Sequence, residues 1–406
     1  MKFFQTIETT GAVSLMLEKA HDKDHPTENI ALEESLHRTI AKDIAIPEDI
    51  PNFRRSTVDG YAVKSADVQG ATESIPAMLK ILGEVQMGET AQIPLEKGTA
   101  IYVPTGGMIP EGADTMVMIE YTKVMGKMVL VYKTQAPSMH MVFPGDDAKK
   151  GEVLIKKSTK ITPGVLGVLA ASGIYEVPVY QRPTALILST GDEIVGPGEE
   201  FTLGKIRDIN SYTIRGIWKD WQGEVISAKR VKDDRALLEQ EVEKAIGYVD
   251  FVLLSGGSSV GVRDFTKDVI EKYAGTLLFH GLNLKPGKPT LAGYTKGTWL
   301  IGLPGHPVSA MHVLHEVIRP YLEAVYGNSL VQKIRAKLVE NIASSPGKRT
   351  IQPVNVWREE GEWRAIPHYS ASSLITQFVR ADGVITIPRE VEGLYEGDWV
   401  EVEVRQ

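Results

Sequence analysis

The chain has 406 residues, 43% hydrophobic and 24% charged, and a formal net charge of −7 at pH 7. This length exceeds one core and predicts about two to four domains. The acidic balance argues against a nucleic-acid binder or a protein held on anionic membranes. With no cysteine, disulfides, a thiolate nucleophile and Cys-ligated metal or iron–sulfur sites are excluded, so sulfur chemistry must arrive on a substrate.

Residues 1–8 lack the apolar region of a signal peptide, and no apolar run approaches the roughly 18 residues that span a bilayer. A cytoplasmic protein without membrane contact is expected. Residues 1–48 read as helical, with Val13, Met16, Leu17 and Ala20 on one face and Ala31, Leu32, Ser35 and Leu36 on another. From 49 to 144 Gly and Pro recur between short strand-like runs such as 77–82 and 127–132, which predicts an inserted β domain. Residues 145–180 return to a mixed pattern, with Thr162-Pro163-Gly164 opening a helix, and are expected to pack back on the N-terminal helices. From Thr184 strands and helices alternate: strand 185–188, a helix capped at Asn210-Ser211, strand 225–228, helix 236–246, strand 251–254, strand 299–301 and a helix from Pro307. That alternation predicts a parallel sheet covered by helices over 181–326. Residues 327–406 read as short strands, a C-terminal β domain. The fold class is therefore multidomain α/β.

In an open parallel sheet, ligands sit in the crevice at the carboxyl ends of the strands. Several polar turns fall there. Ser255-Gly256-Gly257-Ser258-Ser259 leaves backbone N–H groups uncovered for an anion, and Asp264 adds a carboxylate beside it. Ser189 to Glu193 follows the first strand, Asp233-Asp234 the second. Glu193, Asp233 or Asp234, and Asp264 supply hard oxygens suited to Mg²⁺, which takes few protein ligands plus substrate phosphates. Lys285 and Lys288, in a rigid Pro- and Gly-flanked turn, offset a second oxyanion. Pro307 opens a helix whose first turn carries Ser309, with His306 as a ligand contact or a cap residue. In the first half, 52–62, 104–114 and 144–147 are polar turns that carry little chemistry when read singly.

Together these turns resemble the MoeA family of molybdopterin molybdenumtransferases, whose eukaryotic counterpart is the gephyrin E domain. The matching pieces, in family order, are 56–61, 105–114, 145–151, 189–193, 255–264, 285–289 and 302–309. The resemblance implies an elongated homodimer of four-domain subunits: an N-terminal mixed α/β dimerisation domain (1–48 with 145–180), the inserted β-rich domain (49–144), a MogA-like molybdopterin-binding α/β domain (181–326) and a C-terminal β-barrel-like domain (327–406). Each site would lie between the α/β domain of one subunit and the insertion of the other. It also implies a Mg²⁺-dependent reaction in which adenylylated molybdopterin and molybdate give molybdenum cofactor and AMP. An adenylyltransferase and molybdoenzyme chaperones would be hand-off partners.

By motif position, Asp59, Thr105, Asp147, Glu193, Asp233 or Asp234, and Asp264 match the family's functional acidic and hydroxyl residues. Ser255, Gly256, Gly257, Ser259, Lys285, Lys288, Ser309 and Ser372 match its substrate contacts, and Pro304 and Pro307 its functional prolines. The chain departs from the pattern at Arg54-Arg55, at His306 in place of Asn, and at Pro353, where an Arg near the oxyanion site is usual; Arg349 or Arg380 are the candidate replacements. Rival readings are a molybdopterin adenylyltransferase or nucleotide pyrophosphatase sharing the Gly-rich domain, a scaffold protein, and a tungstate-specific paralogue.

Overall fold

The computed structural model describes residues 6–20, 25–256, 265–327, 331–369, 371 and 373–404. Helix Thr9–Ala20 buries Ala12, Met16 and Ala20, four residues apart on one stripe. That stripe enters the same core as Ile214, Trp218 and Tyr321 of the α/β domain, so this helix does not pack on residues 145–180 as expected.

The second expected helix is absent. Thr27–Ala31 is a strand paired antiparallel with Glu176–Tyr180, and only Leu32–Glu34 turns helically, closed by the Ser35 hydroxyl donating to Leu32 O at 2.7 Å. The strand is stabilised by a partner about 150 residues downstream, Thr27 facing Tyr180, which local periodicity does not reveal. Helix Pro163–Ala171 forms where expected: Thr162 accepts from Val165 N and proline takes the first turn. Its Leu169 joins Ile40, Ile44, Ile155, Ile161, Val177 and Val179 in a small core.

The insertion is a six-stranded sheet in the spatial order Thr115–Met118, Gly60–Val63, Thr99–Val103, Ala77–Glu84, Met128–Val131, Thr122–Met125. Apolar clusters cover both faces. Gly60 is required there, since a Cβ would lie 1.9 Å from Val117 O. The two chain passages into the insertion are tied together by Gly145 N to Pro51 O at 3.0 Å and Asp147 N to Ile50 O at 3.0 Å.

The α/β domain holds four parallel strands in the order Glu224–Val231, Thr184–Thr190, Phe251–Ser255, Thr298–Leu303, extended by antiparallel Leu291–Thr295 and Phe279–His280. Phe251–Ser255 is buried throughout, as a central parallel strand covered on both faces must be. On one face Trp218, Phe251, Tyr321 and Trp299 form a chain of edge-to-face rings with centroids 5.0 to 6.0 Å apart, and Trp299 Nε1 donates to the Tyr321 hydroxyl at 3.1 Å. Burial pushes the Tyr321 phenol up to about 12. The helix beginning at Pro307 widens into a π turn over Leu314–Ile318 before continuing as Arg319–Tyr326. Pro320 explains the turn: it has no N–H for the carbonyl of Glu316, and its ring would clash with that carbonyl in regular α-geometry.

In the last domain, Gln332–Leu338, Glu362–Pro367, Arg349–Glu359, Gly383–Ile387 and Trp399–Val404 close a five-stranded barrel, since each pairs with two of the others around the circuit. Closure leaves no free sheet edge. Its interior is apolar, with Ala336, Val354, Ala365 and Val402 fully buried. Among the described residues no helix is long and apolar enough to cross a membrane.

Candidate functional site

The carboxyl ends of the four parallel strands open on one edge of the sheet, and the expected turns gather there. Leu291 starts its antiparallel strand opposite Gly302, so the 285–289 turn reaches the same edge. Gly256 has a φ of 110°, and a Cβ there would lie 2.4 Å from Thr190 O, so this turn admits only glycine. The Glu193 carboxylate folds back over Gly191, both oxygens 2.8 Å from where a Cβ would be. Asp192 Oδ1 accepts from Asp233 N at 3.3 Å, joining the first two acidic turns. Asp234 accepts from Ala236 N and Leu237 N at 2.8 and 3.2 Å, capping the helix Arg235–Ala245. Of the pair, Asp233 is therefore the carboxylate not used as this cap. Gly257, Ser258, Ser259 and Asp264 lie outside the described residues, as does Ser372.

Two contacts stand out beneath the Gly-rich turn. Asn210 Nδ2 donates to the Ser255 hydroxyl and to Gly305 O, the latter at 2.9 Å, bridging the ends of two adjacent strands. Asn210 is buried and its Oδ1 has no partner among the described residues. An unsatisfied buried acceptor costs about 1–3 kcal/mol. The capping role expected of Asn210-Ser211 falls instead to Asp208, whose Oδ1 accepts from Ser211 N at 3.0 Å and lies 3.2 Å from the Ser189 hydroxyl. Asn210 and Asp208 were not read as site residues from sequence. The available signal was three cap-type polar residues in four, Asp208, Asn210 and Ser211, ahead of an apolar helix face.

The Lys285 ammonium donates to the Ser345 hydroxyl of the barrel at 2.6 Å, and Lys288 is exposed beside it in the turn. Pro304 is buried, Pro307 takes the first helical position, and Ser309 is buried within the first turn. His306 stands at the cap position with no side-chain capping bond. Pro353 is buried in its strand opposite Val384. Of the two candidate replacements for the missing arginine, Arg349 is committed to Glu316 at 2.6 Å, and Arg380 is exposed at the end of the short helix Gln377–Arg380.

Asp59 and Thr105 are brought together in the insertion: Asp59 Oδ1 accepts from Thr105 N at 2.9 Å, and both are exposed. Asp147 is exposed at the insertion's root. These three and the crevice residues share no described hydrogen bond within the chain. Among the described residues no three carboxylate or imidazole groups form a metal cage. The crevice does offer exposed carboxylates, Asp192, Glu193 and Asp233, on adjacent turns. That open oxygen donor set fits Mg²⁺, which completes its shell with water and substrate phosphates.

Residues 7–173 match the MoeA N-terminal region (domains I and II), 186–324 a probable molybdopterin-binding domain, and 335–404 the MoeA C-terminal region (domain IV). The chain is 32% identical over 383 residues to the molybdopterin molybdenumtransferase of Haemophilus influenzae, covering 93% of each. It is 32% identical over 389 residues to that of Bacillus subtilis, covering 94% of this chain and 90% of the relative. The crystal structure of a MoeA molybdopterin biosynthesis protein from Pyrococcus horikoshii superposes with a TM-score of 0.84 at 35% identity, covering 98% of this chain and 99% of that one. With relatives of this identity matched along nearly its whole length, and the MoeA regions in order, the chain belongs to the MoeA family.

Proposed function

We propose that the chain inserts molybdenum into adenylylated molybdopterin, releasing AMP, in molybdenum cofactor biosynthesis in the cytoplasm. The observation that carries this reading is the meeting, at one sheet edge, of a glycine-only anion turn, exposed carboxylates on neighbouring turns, and a lysine pair. Glu193, Asp233 and Asp264 would hold Mg²⁺, with Asp234 supporting the turn as a helix cap. Bound there, Mg²⁺ would neutralise the anhydride phosphates and polarise the bond to be cleaved. The backbone at Ser255–Gly257, with Ser259 and the first turn after Pro307, would cradle the phosphate. Lys285 and Lys288 would hold molybdate near the pterin's dithiolene sulfurs. The chain's task is to station two mutually repelling anions, and no protein nucleophile is required.

Asp59, Thr105 and Asp147 enter this reading only in a homodimer, with one subunit's insertion facing its partner's crevice. Pro353 stands where the resemblance implies a guanidinium near the oxyanion, so tungstate is the competing oxyanion to be tested. The test is release of AMP from adenylylated molybdopterin with molybdate or tungstate, with and without Mg²⁺. Glu193→Gln and Asp264→Asn are each expected to lower kcat by about a hundredfold or more. Undiminished turnover in both variants would remove the assignment.

A further inference from the structure

We infer that Asn210 is a positioning residue of the crevice: its amide clamps the Gly-rich turn to the turn that opens the Pro307 helix, fixing the seat for the nucleotide phosphate. Asn210 Nδ2 is the shared donor to Ser255, where one central strand ends, and to Gly305 O, just beyond the end of the next strand, Thr298–Leu303. These partners are 45 and 95 residues away along the chain, so the contact is tertiary and not a helix cap. Its orientation is fixed, because the Gly305 carbonyl can only accept, and turning the amide over would set two acceptors face to face. The chain keeps this orientation although it leaves Oδ1 buried and without a partner among the described residues, and such groups in native proteins call for an explanation. The two clamped turns are also close neighbours: a Cβ added at Gly305 would lie 3.9 Å from Gly256 Cα. A phosphate seated on N–H groups from both turns needs their spacing held to a fraction of an ångström.

The inference rests on the nucleotide reading above, so its test uses AMP binding, which needs no metal transfer. Calorimetry with AMP and Mg²⁺ is run on the full chain and on Asn210→Asp, a near-isosteric change that puts an acceptor against the Gly305 carbonyl. At pH 7.5 the variant is expected to bind about tenfold more weakly, the effect of about 1.4 kcal/mol. Burial between the two turns should raise the introduced carboxyl above its ordinary value of about 3.9, so the affinity ratio of unaltered chain to variant is expected to narrow between pH 7.5 and 5.5 as the carboxyl regains a donor. In the unaltered chain, hydrogen exchange should show AMP protecting 251–256 and 303–308 together. Equal affinity in the variant, or protection of one turn without the other, overturns the inference and leaves the function standing. Failure of the unaltered chain to bind AMP overturns both.

Discussion

The five-stranded C-terminal barrel and the six-stranded inserted sheet are both β units of the same chain, but they are fastened in opposite ways. The barrel is tied into the α/β domain at several points. Leu284–Lys285 pairs in parallel with Arg349–Thr350. Arg319 holds Glu403 at 2.9 Å and Arg349 holds Glu316 at 2.6 Å, with Arg319 and Glu316 almost fully enclosed. Glu8 ties to Arg389 at 2.5 Å and to Asn283 at 2.7 Å, joining the N-terminal segment to both. For the insertion, by contrast, every described hydrogen bond and ring contact of residues 52–143 stays within 49–152. The barrel's placement is thus written into enclosed charges, and the insertion's into the two short passages at Ile50-Pro51 and Gly145–Ala148. The former suits a wall of the crevice formed within the chain. Under the proposed homodimer, the latter suits a unit whose working contacts would lie with a second subunit.

Three experiments test this contrast. The largest effect is expected from Glu403→Ala, which leaves the enclosed Arg319 without its carboxylate. Removing one partner of such a pair costs about 3 kcal/mol, and hydrogen exchange should show protection lost across 331–404 while 52–143 is unchanged. Equal loss in both regions would erase the distinction. The mirror experiment is Gly60→Ala, which forces the sheet away from Val117 O. A cost of about 1–3 kcal/mol should appear as a lowered unfolding transition of the insertion alone, with barrel protection retained.

The smallest effect is acidification. Burial raises the Glu8 carboxyl, but hydrogen bonds from Asn283 and Arg389 outweigh it and hold it below the usual value of 4.5. A depressed carboxyl contributes stability above its unfolded value and loses it as pH falls through the folded one. The barrel junction should therefore loosen below pH 4.5, read as accelerated exchange at Asn283 and Arg389, before the insertion responds. Unaltered exchange at those amides down to pH 3 would show that Glu8 plays no part in docking.

Much of the layout was legible in sequence because local pattern and tertiary role agree. The apolar run 251–254 is the buried central strand, Thr162-Pro163 does start a helix, and the alternating segments from Thr184 build the parallel sheet whose edge collects the acidic turns. The failures share a cause. Thr27–Ala31 is a strand only because Glu176–Tyr180 lies beside it, and Asn210 is a clamp only because Ser255 and Gly305 arrive from distant positions. The π turn was readable in principle from Pro320 within an otherwise helical run. That Asp234 is the helix cap needed geometry, since either Asp233 or Asp234 could stand as a cap and only the bonds to Ala236 and Leu237 mark which one does.

Lys285 lies on the strand that the barrel borrows, and its ammonium rests on a barrel hydroxyl. One consequence concerns how such a chain can be rebuilt. A terminal module that touched only the outside of its neighbour could be trimmed or swapped without altering chemistry. Here, cutting the chain after residue 327 would remove the neighbouring strand and the hydroxyl that hold the Lys285 ammonium. If Lys285 holds the oxyanion as proposed, the barrel shares in that task, and homologous barrels are interchangeable only where a hydroxyl equivalent to Ser345 and the pairing at Arg349–Thr350 are kept.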